Sequence, residues 1–338
     1  KFRALYEPYI PARTDDDDET LANFMRRRFG AEMLDKIGAP LLAGIYSGDV
    51  EHLSIMATFP RLRVTEQQHG SLIRAARAVG ATHASPASSP QTSMFMSFRG
   101  GTVELTDALA AKLTGDLRLN CTVRQIKQAA DGTYQITLAN AAPISASAII
   151  LTTPAFTAAK LLRDLAPKSA AELNQIPYNS TGSISLAYRL ADVPRPLDGF
   201  GLLIPASEGR PINAMTWSST KFDHRAPENH ALIRVFFGGA RRPEMLTIDD
   251  SGLLVIVRSE LKALLDITAA PLFQRIYRWT NANPQYEVGH LERVADIEAA
   301  LPPNIYVAGS AYRGVGIPDC VHQARQVAVS FVQKATAS

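Results

Sequence analysis

The stretch Asn304 to Cys320, NIYVAGSAYRGVGIPDC, constrains the fold of this chain more than any other. An apolar run delivers two closely spaced glycines, Gly314 and Gly316, to a segment whose apolar positions Ile317, Val321, Ala324, Ala328, Phe331 and Val332 recur every three or four residues. That pattern predicts a strand, a glycine turn and a helix with one buried face. Glycine lets backbone approach a flat or anionic ligand, and Pro318 fits the first helical turn, where its missing N–H has no partner to lose. The partial positive charge of such a helix N-terminus is what holds nucleotides and flavins. The letters also read G-x-G-x-x-D, but a dinucleotide fingerprint needs a further strand and an acidic residue about 20 positions on. The sequence ends at Ser338, so the turn is not expected to open a Rossmann unit. An ordinary glycine-rich strand–helix connection is the competing reading.

The rest of the composition narrows the field by exclusion. A chain of 338 residues, 46% hydrophobic and 20% charged, can bury a sizeable core and form two or so domains. Its net charge is only +3, and no block of lysine and arginine is interleaved with aromatics, so nucleic acid is not an expected partner. Cys121 and Cys320 lie far apart, as in a protein of a reducing compartment rather than a disulfide framework. No run of about 18 apolar residues predicts a spanning helix. The seven histidines fall in no metal-ligand spacing, and neither a G-x-S-x-G elbow nor a phosphate loop occurs. No metal site is expected.

Periodicity and breaker residues divide the chain further. Residues 17 to 80 read as helical, with acidic residues Asp15 to Glu19 at the helix start. His83 to Ser93 reads as a Ser/Pro-rich loop and Met94 to Phe98 as a strand. Thr102 is the expected cap of a helix running to Leu113, and strands are expected over Leu117–Val123 and Tyr134–Leu138 around an Asp131-Gly132 turn. Beyond Pro154 come strands over Ser183–Tyr188, Gly201–Ile204, Asn213–Trp217 and Leu232–Phe237, then a helix over Asp250–Leu265. Asp249 and Asp319 read as helix caps.

Five stretches, in order along the chain, resemble one family. GSAYRGVGIPDC (Gly309–Cys320) resembles the C-terminal flavin-contacting motif of the oxygen-dependent protoporphyrinogen and coproporphyrinogen oxidases, members of the flavin amine oxidase superfamily. LLAGIYSGDVEHLS (Leu41–Ser54) is similar to the family's helical GVYAGDxxxLS segment, and MSFRGGTVELTDALAAKL (Met96–Leu113) to its FxGGxxxLxxAL segment. AIILTTPAFTAAKLL (Ala148–Leu162) resembles its strand-to-helix crossover, and PQYEVGHLERV (Pro284–Val294) the segment that re-enters the flavin domain. Ala324 stands where the family usually has glycine in the last helix, a small and helix-compatible replacement.

The resemblance implies an α/β fold: a partial flavin domain of the FAD-linked reductase type, with an inserted mixed-sheet substrate domain and a helical subdomain. Residues 1–92 would form the helical subdomain, 93–155 and 291–338 parts of the FAD-binding domain, and 156–290 the substrate domain. It implies an FAD enzyme that oxidises protoporphyrinogen IX or coproporphyrinogen III to the porphyrin in haem biosynthesis, with dioxygen as final acceptor and release of hydrogen peroxide. An amine oxidase, a carotenoid desaturase and a tetrapyrrole-binding chain without catalysis are the alternatives. The family's N-terminal fingerprint for the FAD diphosphate does not occur in these residues, so a piece of a longer protein, inactive by itself, is expected. A cytoplasmic protein is expected, whose helical stretch either contacts the cytoplasmic membrane peripherally or is an ordinary helical subdomain; oligomeric state stays open, a homodimer included.

Carried over residue by residue, the resemblance places the backbone of Val315, Gly316 and Ile317 at the flavin ring and Ser310 near its ribityl or phosphate side. Val123 corresponds to a residue whose backbone holds the adenine, and Trp279 to a flavin-adjacent tryptophan; from the residues alone, both also read as core. On the substrate side, Gly44 corresponds to a glycine whose carbonyl faces pyrrole N–H groups. Leu203 and Phe222 correspond to an apolar pair sandwiching a tetrapyrrole ring, and otherwise read as routine sheet residues.

Overall fold

A computed structural model describes residues 3–82 and 96–337. The loop expected over His83–Ser93 lies outside these residues, as do the first two residues of the strand expected over Met94–Phe98, whose remainder, Met96–Phe98, has no regular structure.

The N-terminal part is helical, and its sequence shows why. In the helix Leu21–Phe29, Thr20 accepts a hydrogen bond from the Asn23 N–H at 3.1 Å, Gly30 closes the other end at φ 90°, and Leu21, Phe24, Met25 and Arg28 are buried at the spacing of one helical face. Helices Ala39–Tyr46, Pro60–His69 and Leu72–Thr82 complete the layer. A buried charge cluster ties them together. Arg28, fully buried, donates through Nε to Glu7 Oε1 at 2.8 Å and to the carbonyls of Ile10 and Gly70, each at 2.9 Å. The Glu7 carboxylate in turn accepts from the N–H groups of Leu72 (3.0 Å) and Ile73 (3.1 Å) and from the Ser71 hydroxyl. It therefore caps a helix more than sixty residues downstream. Burial pushes Glu7 up, yet the hydrogen bonds from Ser71, Arg28, Leu72 and Ile73 outweigh it and hold its carboxyl below the ordinary range.

Three sheets follow. Strands β1 (Val123–Gln128), β2 (Tyr134–Leu138) and β3 (Ile144–Ala146) form an antiparallel meander. The strand expected over Leu117–Val123 is shifted: its first six residues are irregular, with Leu117 and Leu119 exposed, and VRQIKQ takes the place beside β2. The tight turn at Asp131-Gly132, with Gly132 at φ 84°, fixes which residues pair. Strand β4 (Ile149–Leu151) pairs parallel with β10 (Ile305–Val307). The remaining strands, β5 (Tyr178–Arg189), β6 (Gly201–Leu203), β7 (Ala214–Trp217), β8 (His230–Gly238) and β9 (Phe273–Pro284), form one sheet in the order β6-β7-β8-β5-β9. Every neighbour in it is antiparallel, where a mixed sheet was expected. A parallel neighbour needs a crossover that returns the chain to the same end of the sheet, and β6, β7 and β8 instead follow one another in alternating directions.

Alternation splits the two faces of this sheet. Ile184, Leu186, Tyr188, Ile233, Val235, Phe237, Met215 and Trp217 point one way into a core closed by the helix Asp250–Leu265. That helix is capped by Asp249, which accepts from the Gly252 N–H at 2.7 Å, and buries Leu253, Val257, Leu261 and Leu265 at every fourth position. Gly182 opens room for the Phe237 ring; a Cβ there would lie 2.1 Å from Phe237 Cζ. A second core lies under β4 and β10, with Leu162, Leu173, Val294 and Ile297 from the flanking helices.

The final helix runs from Ile317 to Ala337, as its period predicts, but its apolar face is not buried. Ile317 is 52%, Val321 56% and Val332 55% exposed. A period of three and four establishes that a helix has an apolar side and is silent on what covers it.

Candidate functional site

The two parallel strands end together: β4 leads into Thr152-Thr153-Pro154, and β10 into Ala308-Gly309-Ser310. The carboxyl ends of parallel strands are where open α/β sheets bind cofactors. Here the glycine turn spans Gly309 to Gly316, with Gly309 at φ 125° and Gly314 at φ 132°. It folds over the first turn of the final helix so closely that a Cβ on Gly314 would lie 2.5 Å from Asp319 Cβ. Gly314 is thus required twice, by its φ and by its neighbour.

Two stacked rings set this turn. Tyr286 and His290 lie with centroids 4.0 Å apart and planes 14° from parallel. The Tyr286 hydroxyl donates to the Ser310 carbonyl and accepts from the Gly314 N–H, both at 2.8 Å, so one oxygen spans the turn. His290 Nε2 lies 2.8 Å from the Tyr312 carbonyl. Facing a carbonyl, Nε2 must carry the proton, which leaves Nδ1 as a bare acceptor; it is buried without a partner. Burial, only partly offset by the Tyr312 carbonyl and reinforced by Arg293 and Arg313, pushes His290 down to about 4.

A stability prediction follows. The unfolded imidazole takes up a proton near its ordinary 6.5 and the folded one only near 4. The neutral ring's contribution is therefore complete above pH 6.5 and lost progressively as pH falls toward 4, about 3 kcal/mol in all. Denaturation midpoints across that window should fall in the wild type, and the slope should shrink in His290→Gln. Equal slopes would remove His290 from the account.

The second element is a cavity of about 1030 Å³ between the helix Ala39–Tyr46 and the open face of the five-stranded sheet. Gly44, Leu203 and Trp279 share its wall, with Phe236 and Tyr277. The Tyr277 and Trp279 rings stack at 5.9 Å and 20°. The cavity and the glycine turn are joined through Tyr46, whose ring lies 5.5 Å from that of Tyr286 and whose carbonyl accepts from Gln285 Nε2 at 2.9 Å.

The other sequence-derived residues are placed as follows. Ser310, Val315, Gly316 and Ile317 lie together on the glycine turn and its helix; Ser310 and Ile317 are exposed, and Val315 packs against the helical core. Val123 opens β1 and packs against the core under β4. Phe222 ends the short helix Ser218–Lys221, between the charges of Lys221 and Arg225 at 5.6 and 5.7 Å, and is not part of the cavity wall. Tyr286 and His290 have no role legible in the sequence, because Tyr286 lies in the irregular link after β9 and His290 opens the next helix, so only the fold stacks their rings.

The turn suits a flavin. Among the described residues, Cys320 is the first of the final helix whose N–H finds an i−4 carbonyl, that of Gly316, so the N–H groups before it have no helical acceptor. Beside them stand the exposed apolar side chains of Ile317 and Val321, and the buried Thr153 Oγ1 has no hydrogen-bond partner. An apolar ledge, a positive helix end and an orphan hydroxyl match the ring, the pyrimidine edge and a polar tail.

Comparison with known proteins shows the family. The profile of a family described as flavin containing amine oxidoreductase matches residues 2–330. The chain is 31% identical to the coproporphyrinogen III oxidase of Bacillus subtilis (strain 168), over 96% of this chain and 70% of that protein. It is 33% identical to the coproporphyrinogen III oxidase of Propionibacterium freudenreichii subsp. freudenreichii, over 100% of this chain and 69% of that one. A crystal structure from Exiguobacterium sp. 255-15, assigned as a protoporphyrinogen oxidase, superposes with a TM-score of 0.83 at 28% identity, covering 98% of this chain and 71% of its own. This chain belongs to the flavin containing amine oxidoreductases, and its cofactor is FAD.

Proposed function

We propose that this chain oxidises a porphyrinogen, coproporphyrinogen III or protoporphyrinogen IX, to the porphyrin in haem biosynthesis, using dioxygen and releasing hydrogen peroxide. The observation that carries the reading is the cavity: a space of about 1030 Å³ with an aromatic floor, facing a helix whose Gly44 exposes its backbone, next to the flavin turn. With no side chain, Gly44 leaves its surroundings clear, nothing lying within 4 Å of where a Cβ would be. A flat macrocycle can thus meet backbone on one side and rings on the other. FAD, when bound, supplies the hydride acceptor and passes electrons on to dioxygen. The chain's own residues supply position: Tyr286 and His290 hold the turn, and Phe236, Tyr277 and Trp279 form the floor.

Peripheral contact with the cytoplasmic face of a membrane belongs to the same reading. No helix among the described residues is long and apolar enough to cross a bilayer. Support for surface contact comes from Ile37, Leu41 and Ile45, spaced by one helical turn and 53%, 52% and 58% exposed, the latter two at the cavity wall. Flotation with vesicles tests it, and protein that stays wholly in the aqueous fraction argues against it.

The function is tested on the full-length, FAD-loaded protein with each porphyrinogen and a monoamine, reading porphyrin fluorescence and peroxide. Porphyrin formed above the spontaneous rate, with matching peroxide and none from the amine, is the expected result. No porphyrin from either porphyrinogen overturns the proposal.

A further inference from the structure

The floor of the cavity is ordered along its strands. Strand pairing sets Thr216 of β7, Arg234 of β8, Ser185 of β5 and Arg275 of β9 side by side in one row across the sheet. Residues directly opposite in antiparallel strands project from the same face, so the two arginines flank Ser185. Arg234 Nε reaches Ser185 Oγ at 3.4 Å, and the Arg275 guanidinium lies over the Phe273 ring at 5.6 Å. The next rows, toward the far end of β8, are aromatic: Phe236 and Tyr277, then Trp279. Beyond Gly238 and Gly239, where Ala240 N–H donates to the Ser47 carbonyl, stands Arg241, also in the cavity wall.

The wall therefore carries a cation at each end of an aromatic floor, Arg234 at one and Arg241 at the other, while Arg275, in the same row as Arg234, lies outside the lining. Its residues include no aspartate or glutamate. None of the three arginines has an ion-pair partner among the described residues, and burial, then the neighbouring Arg242, lowers the pKa of Arg241. Arginines left without carboxylates in a concave site are the donors that bind a ligand's carboxylates, bidentately where geometry allows. From Arg234 to Gly238 alone the strand extends about 13 Å, at roughly 3.3 Å per residue. A ligand with carboxylates on one edge meets only one end.

We propose that Arg234 and Arg241 read carboxylates at opposite edges of the substrate, making the site selective for a porphyrinogen with a carboxylate chain on every pyrrole, coproporphyrinogen, over one with carboxylates on two adjacent pyrroles, protoporphyrinogen. The inference rests on the porphyrinogen reading above and deepens it.

The test compares kcat/KM for the two porphyrinogens in the full-length FAD-loaded protein, in Arg241→Met and in Arg234→Met, with thermal midpoints as a control for folding. The wild type should prefer coproporphyrinogen III by roughly tenfold or more, the worth of one well-made charge contact. Methionine at one end should lower the ratio of the two kcat/KM values by about tenfold; at the other end both values should fall together, because protoporphyrinogen uses that end too. A wild type without preference, or variants whose KM values stay put for both substrates, overturns the proposal. Should the wild type oxidise neither porphyrinogen, the functional reading fails instead. Quenching of tryptophan fluorescence by coproporphyrin III then still measures the arginines: affinity lost in the variants sustains the carboxylate site, and equal affinity ends it.

Discussion

Arg28→Met should destabilise the folded protein by about 3–5 kcal/mol, the loss expected when one partner of a buried ion pair is removed. In a chain of this size that lowers the thermal midpoint by roughly 4–7 °C. The reason is what stays behind. Glu7 would keep its charge in a fully buried site, and the carbonyls of Ile10 and Gly70 would lose their donor. Adding Glu7→Gln should recover part of the loss, since it removes the buried charge while its one carbonyl oxygen still accepts from either the Leu72 or the Ile73 N–H. A double variant no more stable than Arg28→Met would show that packing, rather than the orphaned carboxylate, sets the effect. Differential scanning calorimetry at neutral pH gives the comparison. Acid weakens the same cluster: with its pKa held below the ordinary value, Glu7 contributes above about pH 4.5 and less as pH falls through its folded pKa.

Gly314→Ala should release FAD while leaving the substrate sheet folded. At φ 132° a side chain is strained by about 1–3 kcal/mol, and the collision with Asp319 adds overpacking of about 1–3 kcal/mol. A turn that must be forced into shape to hold the flavin should bind it roughly 100-fold more weakly, at 1.4 kcal/mol per factor of ten. Titration of the stripped protein, followed by flavin fluorescence, measures this directly. Tyr286→Phe is the companion variant. It keeps the ring against His290 but removes the hydroxyl, leaving the buried Gly314 N–H unpaired. A smaller loss in affinity is expected, about tenfold. Unchanged flavin binding in both variants would mean that the turn does not hold the cofactor.

How much of this was legible depended on whether a residue's partners lie nearby in sequence. Tyr134–Leu138 and Asp250–Leu265 were read to the residue, because alternation beside an Asp-Gly turn and an aspartate cap over a fourfold stripe are local signals. Strand β9 went unread. Its sequence, FQRIYRWTNANP, ends in residues typical of turns, and its aromatics face a cavity rather than a core, so propensity and burial pulled apart. The glycine turn was visible as a motif, and the stacked pair behind it was not, since Tyr286 reaches Ser310 and Gly314 only after β4 and β10 have paired. The arginine row is a matter of register: Arg234 and Arg275 become neighbours only when β5 lies between β8 and β9.

The pairing of Ile149 with Ile305 also sets an order of events during synthesis. β4 leaves the ribosome before β10 and must wait, its edge open, until all the strands of the five-stranded sheet have followed it, because β10 and the glycine turn come after that sheet in the sequence. A contact between such distant segments is slow to form and exposes an unpaired strand meanwhile. The five-stranded sheet, whose strands all precede β10 in the sequence, can therefore be complete before the glycine turn has a strand to hang from.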